Sequence, residues 1–148
     1  MALGDLIGPG EVVVGLRVAD KAQLLSELAR RAAAALSLKQ PDLLRALQAR
    51  EQLGSTGLGR GFALPHARLR ELPRIYACLA RLGRPIDYEA VDDKPVDLVV
   101  LLLTPESAAS QHLATLAALS RPFRDEAFVQ QSRKAPDAAA LHRLLAGV

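Results

Sequence analysis

The sequence predicts an α/β fold, a single domain over residues 1–148 in which a small mixed β-sheet is covered by helices. Three observations carry this expectation. Short β-branched and aliphatic runs at residues 11–16, 62–64, 75–82 and 97–103 alternate with longer stretches of helical period. The run from Leu98 to Leu103 is apolar without a break, as in a strand covered on both faces. The 148 residues contain no internal repeat, low-complexity tract or Ser/Gly linker, and a chain of this length buries about two-thirds of its unfolded surface in one core. Aromatic residues are 3% of the chain, so Leu, Val and Ala must fill that core.

In chain order, residues 11–16 are bounded by Gly10, contain Gly15, and read as a first strand. Asp20 offers an N-cap to a helix over 21–36, where Leu24, Leu25, Leu28, Ala32, Ala35 and Leu36 recur at helical spacing. Pro41 suits the first turn of a second helix with Leu43, Leu44 and Leu47 on one face, ending near Arg50, where the macrodipole favours a cation. A glycine-rich loop follows, then a brief strand at 62–64 ending at Pro65 and His66. Residues 68–74, rich in Arg and carrying Pro73, read as a loop. Residues 75–82 form a strand that Gly83 and Pro85 end, and the turn residues Asp92, Asp93 and Pro95 lead into the strand at 97–103. Pro105 and Glu106 introduce a helix over 107–119 with His112 in its first half. Pro122 opens a helical stretch through Phe128. Pro136 and Asp137 open a last amphipathic helix, through Leu141, Leu144 and Leu145 to the stop signal Gly147.

Composition narrows the function classes. Lys and Arg exceed Asp and Glu by 19 to 16, a surplus spread along the chain without a polybasic tail. With few aromatics to stack on bases, and no recognition motif beside Arg68, Arg70, Arg74, Arg81 and Arg84, these arginines read as a solvated face and no nucleic-acid partner is expected. The single Cys78 makes no internal disulfide, and with three separated His it gives no zinc spacing, so a reducing compartment and neither metal nor cofactor are expected. The longest aliphatic run is too short to span a bilayer, and Asp5 and Glu11 occupy an N-terminus without a basic n-region. A cytoplasmic protein with no membrane insertion is expected.

The chemistry concentrates in residues 50–68, REQLGSTGLGRGFALPHAR. An Arg at a predicted helix end, Gly54, Gly57, Gly59 and Gly61, the hydroxyls of Ser55 and Thr56, and then Pro65 and His66 together suggest phosphate chemistry. Gly lets backbone N–H groups approach an anion, and a neutral imidazole is an available nitrogen nucleophile. A Walker site is not supported, because Arg60 and Gly61 stand where Lys and Ser or Thr are needed, and the glycines fail the dinucleotide pattern. No G-x-S-x-G elbow surrounds Ser55 or Ser110. Arg50, His66 and His112 are the one plausible chemical trio, although their spacing alone does not bring them together.

The run from Arg50 through Gly54, Ser55, Thr56 and Gly57 to Ala63, Leu64, Pro65 and His66 resembles the phosphorylation-site signature of enzyme IIA domains of the bacterial phosphotransferase system, fructose and mannitol superfamily. The segments around Pro85–Asp87, Ala90–Asp92 and Pro95–Leu98 are similar to the middle region of that family, and Leu103–Glu106 with His112, Leu113 and Leu116 to its second-histidine helix. The resemblance covers residues 6–145. The wording GSTGLG and PVDLVVLLLTP is most similar to the nitrogen-regulatory branch. Ala67 stands where the family more usually has Gly, and Phe62 where an aliphatic is commoner.

The resemblance implies a phosphotransferase component with a phosphohistidine intermediate and no small-molecule turnover of its own. His66 would accept the phosphoryl group through Nε2 from a histidine phosphocarrier protein, His112 would help hold the phosphoryl oxygens, and the Arg50 guanidinium suits their charge. Ser55 and Thr56 match loop positions whose hydroxyls and N–H groups would donate to the phosphate. No metal is implied. In that branch the output is regulatory, through target proteins such as potassium-transport or sensor proteins. The alternatives are a sugar-specific IIA that passes phosphate to a IIB domain, and a degenerate binding module that is not phosphorylated. His142 matches no site position.

Overall fold

A computed structural model of the chain describes residues 2–148. A short helix α1 (Leu3–Leu6) and a 3₁₀ turn (Pro9–Glu11) precede strand β1 (Val12–Leu16). Asp20 caps helix α2 (Lys21–Leu36) by accepting the Gln23 N–H, and helix α3 (Gln40–Gln52) begins with Pro41 in its first turn. Strands β2 (Gly57–Gly59), β3 (Phe62–Ala63), β4 (His66–Leu69), β5 (Tyr76–Ile86) and β6 (Val96–Pro105) follow. Helix α4 (Ala109–Ser120), a 3₁₀ turn (Pro122–Arg124), helix α5 (Glu126–Lys134) and helix α6 (Ala138–Ala146) complete the chain. Asp125 and Asp137 cap α5 and α6 with their side chains.

The architecture is the mixed α/β domain expected. Six strands form one sheet in the order β1-β5-β6-β3-β2, and β4 also pairs with β6. Strand β6 is its centre, antiparallel to β5 and parallel to β3 and β4. The period of two along β6 divides the interior. Val99, Leu101 and Leu103 join Leu24, Leu28, Leu43 and Leu47 of α2 and α3 in one core. Leu98, Val100 and Leu102 join Phe123, Val129, Leu141 and Leu145 in the other. All six β6 side chains from Leu98 to Leu103 are fully buried, which is why that segment carries no polar residue. Phe62, the departure from an aliphatic, stacks on Phe123 with ring centroids 4.2 Å apart.

Several boundaries differ from the expectation. The segment at 68–74, read as a loop, begins as strand β4, in register with Leu102 to Pro105. Its exposed arginine and buried Ala67 alternate as in any half-buried strand, and the run is too short to show that period. Gly83 and Pro85 do not end β5. Its pairing with β6 skips from Arg81 to Ile86, and an irregular stretch of this kind accepts a residue without an N–H. The glycine-rich loop is a two-residue hairpin: Gly59 pairs with Phe62, and the intervening Arg60 and Gly61 have φ of 58° and 77°, the left-handed pair of a type I′ turn. The stretch after Pro122 is a 3₁₀ turn and then α5, which runs past Phe128 to Lys134. Among the described residues no helix is long and apolar enough to cross a membrane.

Candidate active site

The site forms where the last turn of α3, the start of β4 and the first turn of α4 converge. Chain entry into β4 is fixed by backbone: Leu64 N–H donates to Thr56 O at 2.9 Å, and Leu102 N–H donates to Pro65 O at 3.0 Å. These bonds hold the two residues between β3 and β4 against the centre of the sheet. His66, next in the chain, is half-buried in register with Leu102. Ala67 is an ordinary strand residue without positive φ, so the missing glycine costs no backbone freedom here.

Two partners define the His66 imidazole. Nδ1 lies 2.8 Å from Leu64 O, an atom that only accepts, so Nδ1 carries the proton. The Arg50 Nε–H donates to Nε2 at 3.2 Å, which requires a lone pair there. Both contacts select the same tautomer, with Nε2 as the nucleophilic atom. Arg50 also donates through Nη1 to Gly54 O at 3.0 Å. Burial, and then the Arg50 charge, hold the imidazole below its usual value of 6.5, against the Leu64 bond and the Glu51 charge, which act the other way. The ring is therefore neutral near pH 7.

His112 meets His66 with ring centroids 5.5 Å apart and planes inclined at 51°. Its Nδ1 lies 2.6 Å from Thr104 Oγ1. Thr104 is fully buried and its hydroxyl hydrogen has no other acceptor among the described residues, so it donates to Nδ1 and the His112 proton sits on Nε2. That Nε2 has no partner within the described protein. Since no buried side-chain nitrogen or oxygen there lacks one, Nε2 is in contact with solvent. Burial lowers the His112 pKa, and the neighbouring His66 and Arg68 lower it further. The pair is thus complementary, with a lone pair on one Nε2 and a hydrogen on the other.

Arg50, His66 and His112 come together as a trio. Ser55 and Thr56 do not join them. Thr56 is buried, and both its N–H and its hydroxyl bond the Glu51 carboxylate. The Ser55 hydroxyl accepts the Gly57 N–H at 3.1 Å and donates to Tyr88 O at 3.3 Å. In this structure both hydroxyls are engaged within the turn that Arg50 grips. Among the described residues no three His, Cys, Asp or Glu side chains come together as a metal-binding group.

Residues 5–147 match the family described as the phosphoenolpyruvate-dependent sugar phosphotransferase system, EIIA 2. The chain belongs to this family. It is 42% identical over 146 residues to a nitrogen regulatory protein of Bradyrhizobium diazoefficiens, covering 99% of this chain and 95% of that one. A second nitrogen regulatory protein, from Pseudomonas aeruginosa, is 33% identical over 147 residues, with 99% and 96% covered. The crystal structure of nitrogen regulatory protein IIA-Ntr from Neisseria meningitidis superposes with a TM-score of 0.91 at 32% identity, covering 96% of this chain and 97% of that one. IIA mannitol from Escherichia coli shares the fold at 17% identity, with a TM-score of 0.80 over 95% and 99% of the two chains.

Four residues of this EIIA domain that sequence reasoning passed over, Thr104, Lys21, Glu51 and Tyr88, support the trio. Thr104 sets the His112 tautomer. Lys21, Glu51 and Tyr88 form a buried cluster under the 53–57 turn, with Lys21 Nζ 2.7 Å from Glu51 Oε2. Arg81, read as part of a solvated face, donates to the carbonyls of Ser132, Arg133 and Ala135 at the end of α5. No spacing signal marks these residues, since their partners lie far away in the chain.

Proposed function

We propose that this EIIA domain is a phosphohistidine carrier of the nitrogen-type phosphotransferase system, accepting a phosphoryl group on His66 from a histidine phosphocarrier protein. The observation that carries the reading is the opposed tautomers of His66 and His112 beside a guanidinium. His66 Nε2 attacks phosphorus in line. The new N–P bond forms as the donor's N–P bond breaks, and its electron pair returns to the donor imidazole. No proton need move, because Nδ1–H stays on Leu64 O, which stabilises the positive charge the ring acquires. The His112 Nε2–H and the Arg50 guanidinium supply donors for the equatorial oxygens.

Half-burial of His66 leaves a face for a docking protein. Leu53, next to the Gly54 that Arg50 holds, and Leu113, next to His112, are 84% and 68% exposed and give that face an apolar rim. A phosphorylated His66 adds about two negative charges to this surface, enough for a partner to distinguish the two forms. The nitrogen regulatory names of the relatives support a regulatory output. In this reading the output runs in the cytoplasm, through target proteins such as potassium-transport or sensor proteins.

The test is incubation with a phosphorylated carrier protein, with acid-labile phosphate located by mass spectrometry. His66→Ala is expected to abolish labelling and His112→Ala to impair it. Undiminished labelling of the His66 variant refutes the assignment. A second reading is sugar-specific transfer to a IIB domain. It is favoured by 34% identity to a fructose-specific EIIA component of Haloferax volcanii over 71% of this chain and 68% of that one. Rapid transfer to a purified IIB domain would select it.

A further inference from the structure

Arg50 and Glu51 are neighbours on the last turn of α3, and each holds one end of the same turn. Arg50 Nη1 donates to Gly54 O, and Glu51 accepts the Thr56 N–H at 3.2 Å. The Glu51 carboxylate is buried, with 7% of its side chain exposed, and four groups from three segments converge on it: the Thr56 N–H, the Thr56 hydroxyl, the Tyr88 hydroxyl at 3.1 Å and the Lys21 ammonium at 2.7 Å. Lys21 comes from the first turn of α2 and lies 4.6 Å from the Tyr88 ring centroid. Tyr88, from the β5–β6 connection, is fully buried and its hydroxyl also meets Thr56 Oγ1 at 2.8 Å. A carboxylate this enclosed is retained only with its full set of donors. It is fully supplied.

We propose that Glu51, held by Lys21 and Tyr88, is a positioning residue for phosphotransfer: it fixes the 53–57 turn and thereby the Arg50 guanidinium against His66 Nε2. The proposal rests on His66 being the acceptor. Arg50 is tied to the turn at Gly54 O and to the imidazole at Nε2, so a turn that shifts carries the guanidinium with it. Glu51 also acts on the imidazole through its charge, opposing Arg50. The other charged and titratable groups near the ring are Lys21 across Glu51, His112 opposite and Arg68 beside His112.

The experiment compares wild type, Glu51→Gln, Glu51→Ala and Tyr88→Phe in single-turnover phosphorylation by a phosphorylated carrier protein, with NMR titration of the His66 ring. Wild-type labelling at His66 is the control that separates this proposal from the functional reading, because its failure removes that reading before any variant is compared. Glu51→Ala is expected to lose about a hundredfold in the maximal rate, the cost of a misplacement near 1 Å, with the half-saturating donor concentration unchanged because the docking face is intact. Glu51→Gln keeps the shape and one acceptor, and is expected to restore much of that rate. Removing the negative charge moves the His66 titration further below its usual value, a change that loss of packing alone does not cause. Tyr88→Phe removes only a hydroxyl and keeps the ring under Lys21, so it serves if the Glu51 variants do not fold. It is expected to slow transfer several-fold. Folded variants that transfer within twofold of wild type, with the His66 titration unmoved, overturn the proposal, as does a loss confined to half-saturation.

Discussion

Replacing Arg50 by Gln tests whether the guanidinium is part of the chemistry or only a cap on α3. Its two hydrogen bonds separate these roles, one to His66 Nε2 at 3.2 Å and one to Gly54 O at 3.0 Å. Loss of the second costs stability, about 1 kcal/mol for one hydrogen bond, or about 2–4 °C in melting temperature for a domain of this size. Loss of the first matters when phosphorus bonds to Nε2, because the group then lies where the Nε–H points. Removing one preorganised donor from such a centre costs about 10²–10³ in rate, about 2.7–4 kcal/mol. Arg50→Lys keeps the charge without the planar fork and should fall between wild type and Gln. Single-turnover labelling at saturating phosphocarrier, beside a thermal melt, separates the two effects. The Gln variant should also bring the His66 titration closer to the usual imidazole value, since the cation that depresses it is gone, while burial keeps it below. A Gln variant with a rate within threefold of wild type and an unmoved titration refutes the role given to the guanidinium.

Two further perturbations follow from the same geometry. Both His66 and His112 titrate below the usual 6.5, so the folded protein binds fewer protons than the unfolded chain between that value and the folded ones. Stability is therefore full above about pH 6.5 and falls as acid titrates the pair, and His66→Gln should flatten that fall in pH-dependent urea melts. Gly57→Ala places a Cβ 2.8 Å from the Ala90 Cα and 3.0 Å from the Tyr88 Cδ1, backbone and a buried ring that cannot move aside freely. A loss of about 1–3 kcal/mol is expected in denaturant melts, whereas Gly8→Ala, with nothing within 4 Å of the added Cβ, should be neutral.

How far each feature was legible depended on the range of its cause. Helix α2 was read to the residue because its cap Asp20 and its leucine period are local. Strand β6 was legible because burial on both faces leaves an apolar run. Strand β3 was legible, but its partner β2 lay hidden in the glycine-rich loop, since glycines that enable a type I′ turn also suit flexible segments. Strand β4 was missed because four residues with an outward arginine show no period. At the site, the residue types at Arg50, His66 and His112 were legible as chemistry. The contacts of the Ser55 and Thr56 hydroxyls with Tyr88 and Glu51 were not legible, because no local pattern announces those partners.

The sequence by itself determined the α/β class, the helices with local caps, the central strand and the kinds of reactive group the chain carries. Its resemblance in wording to one family assigned those groups roles. Only the tertiary structure decided that the two imidazoles face each other with opposite tautomers, that Arg50 points at the nucleophilic nitrogen, and that Glu51 holds the turn behind it. The reason is physical: a side-chain type is a property of one position, whereas a tautomer or a satisfied buried carboxylate is fixed by partners that other strands and helices bring to it.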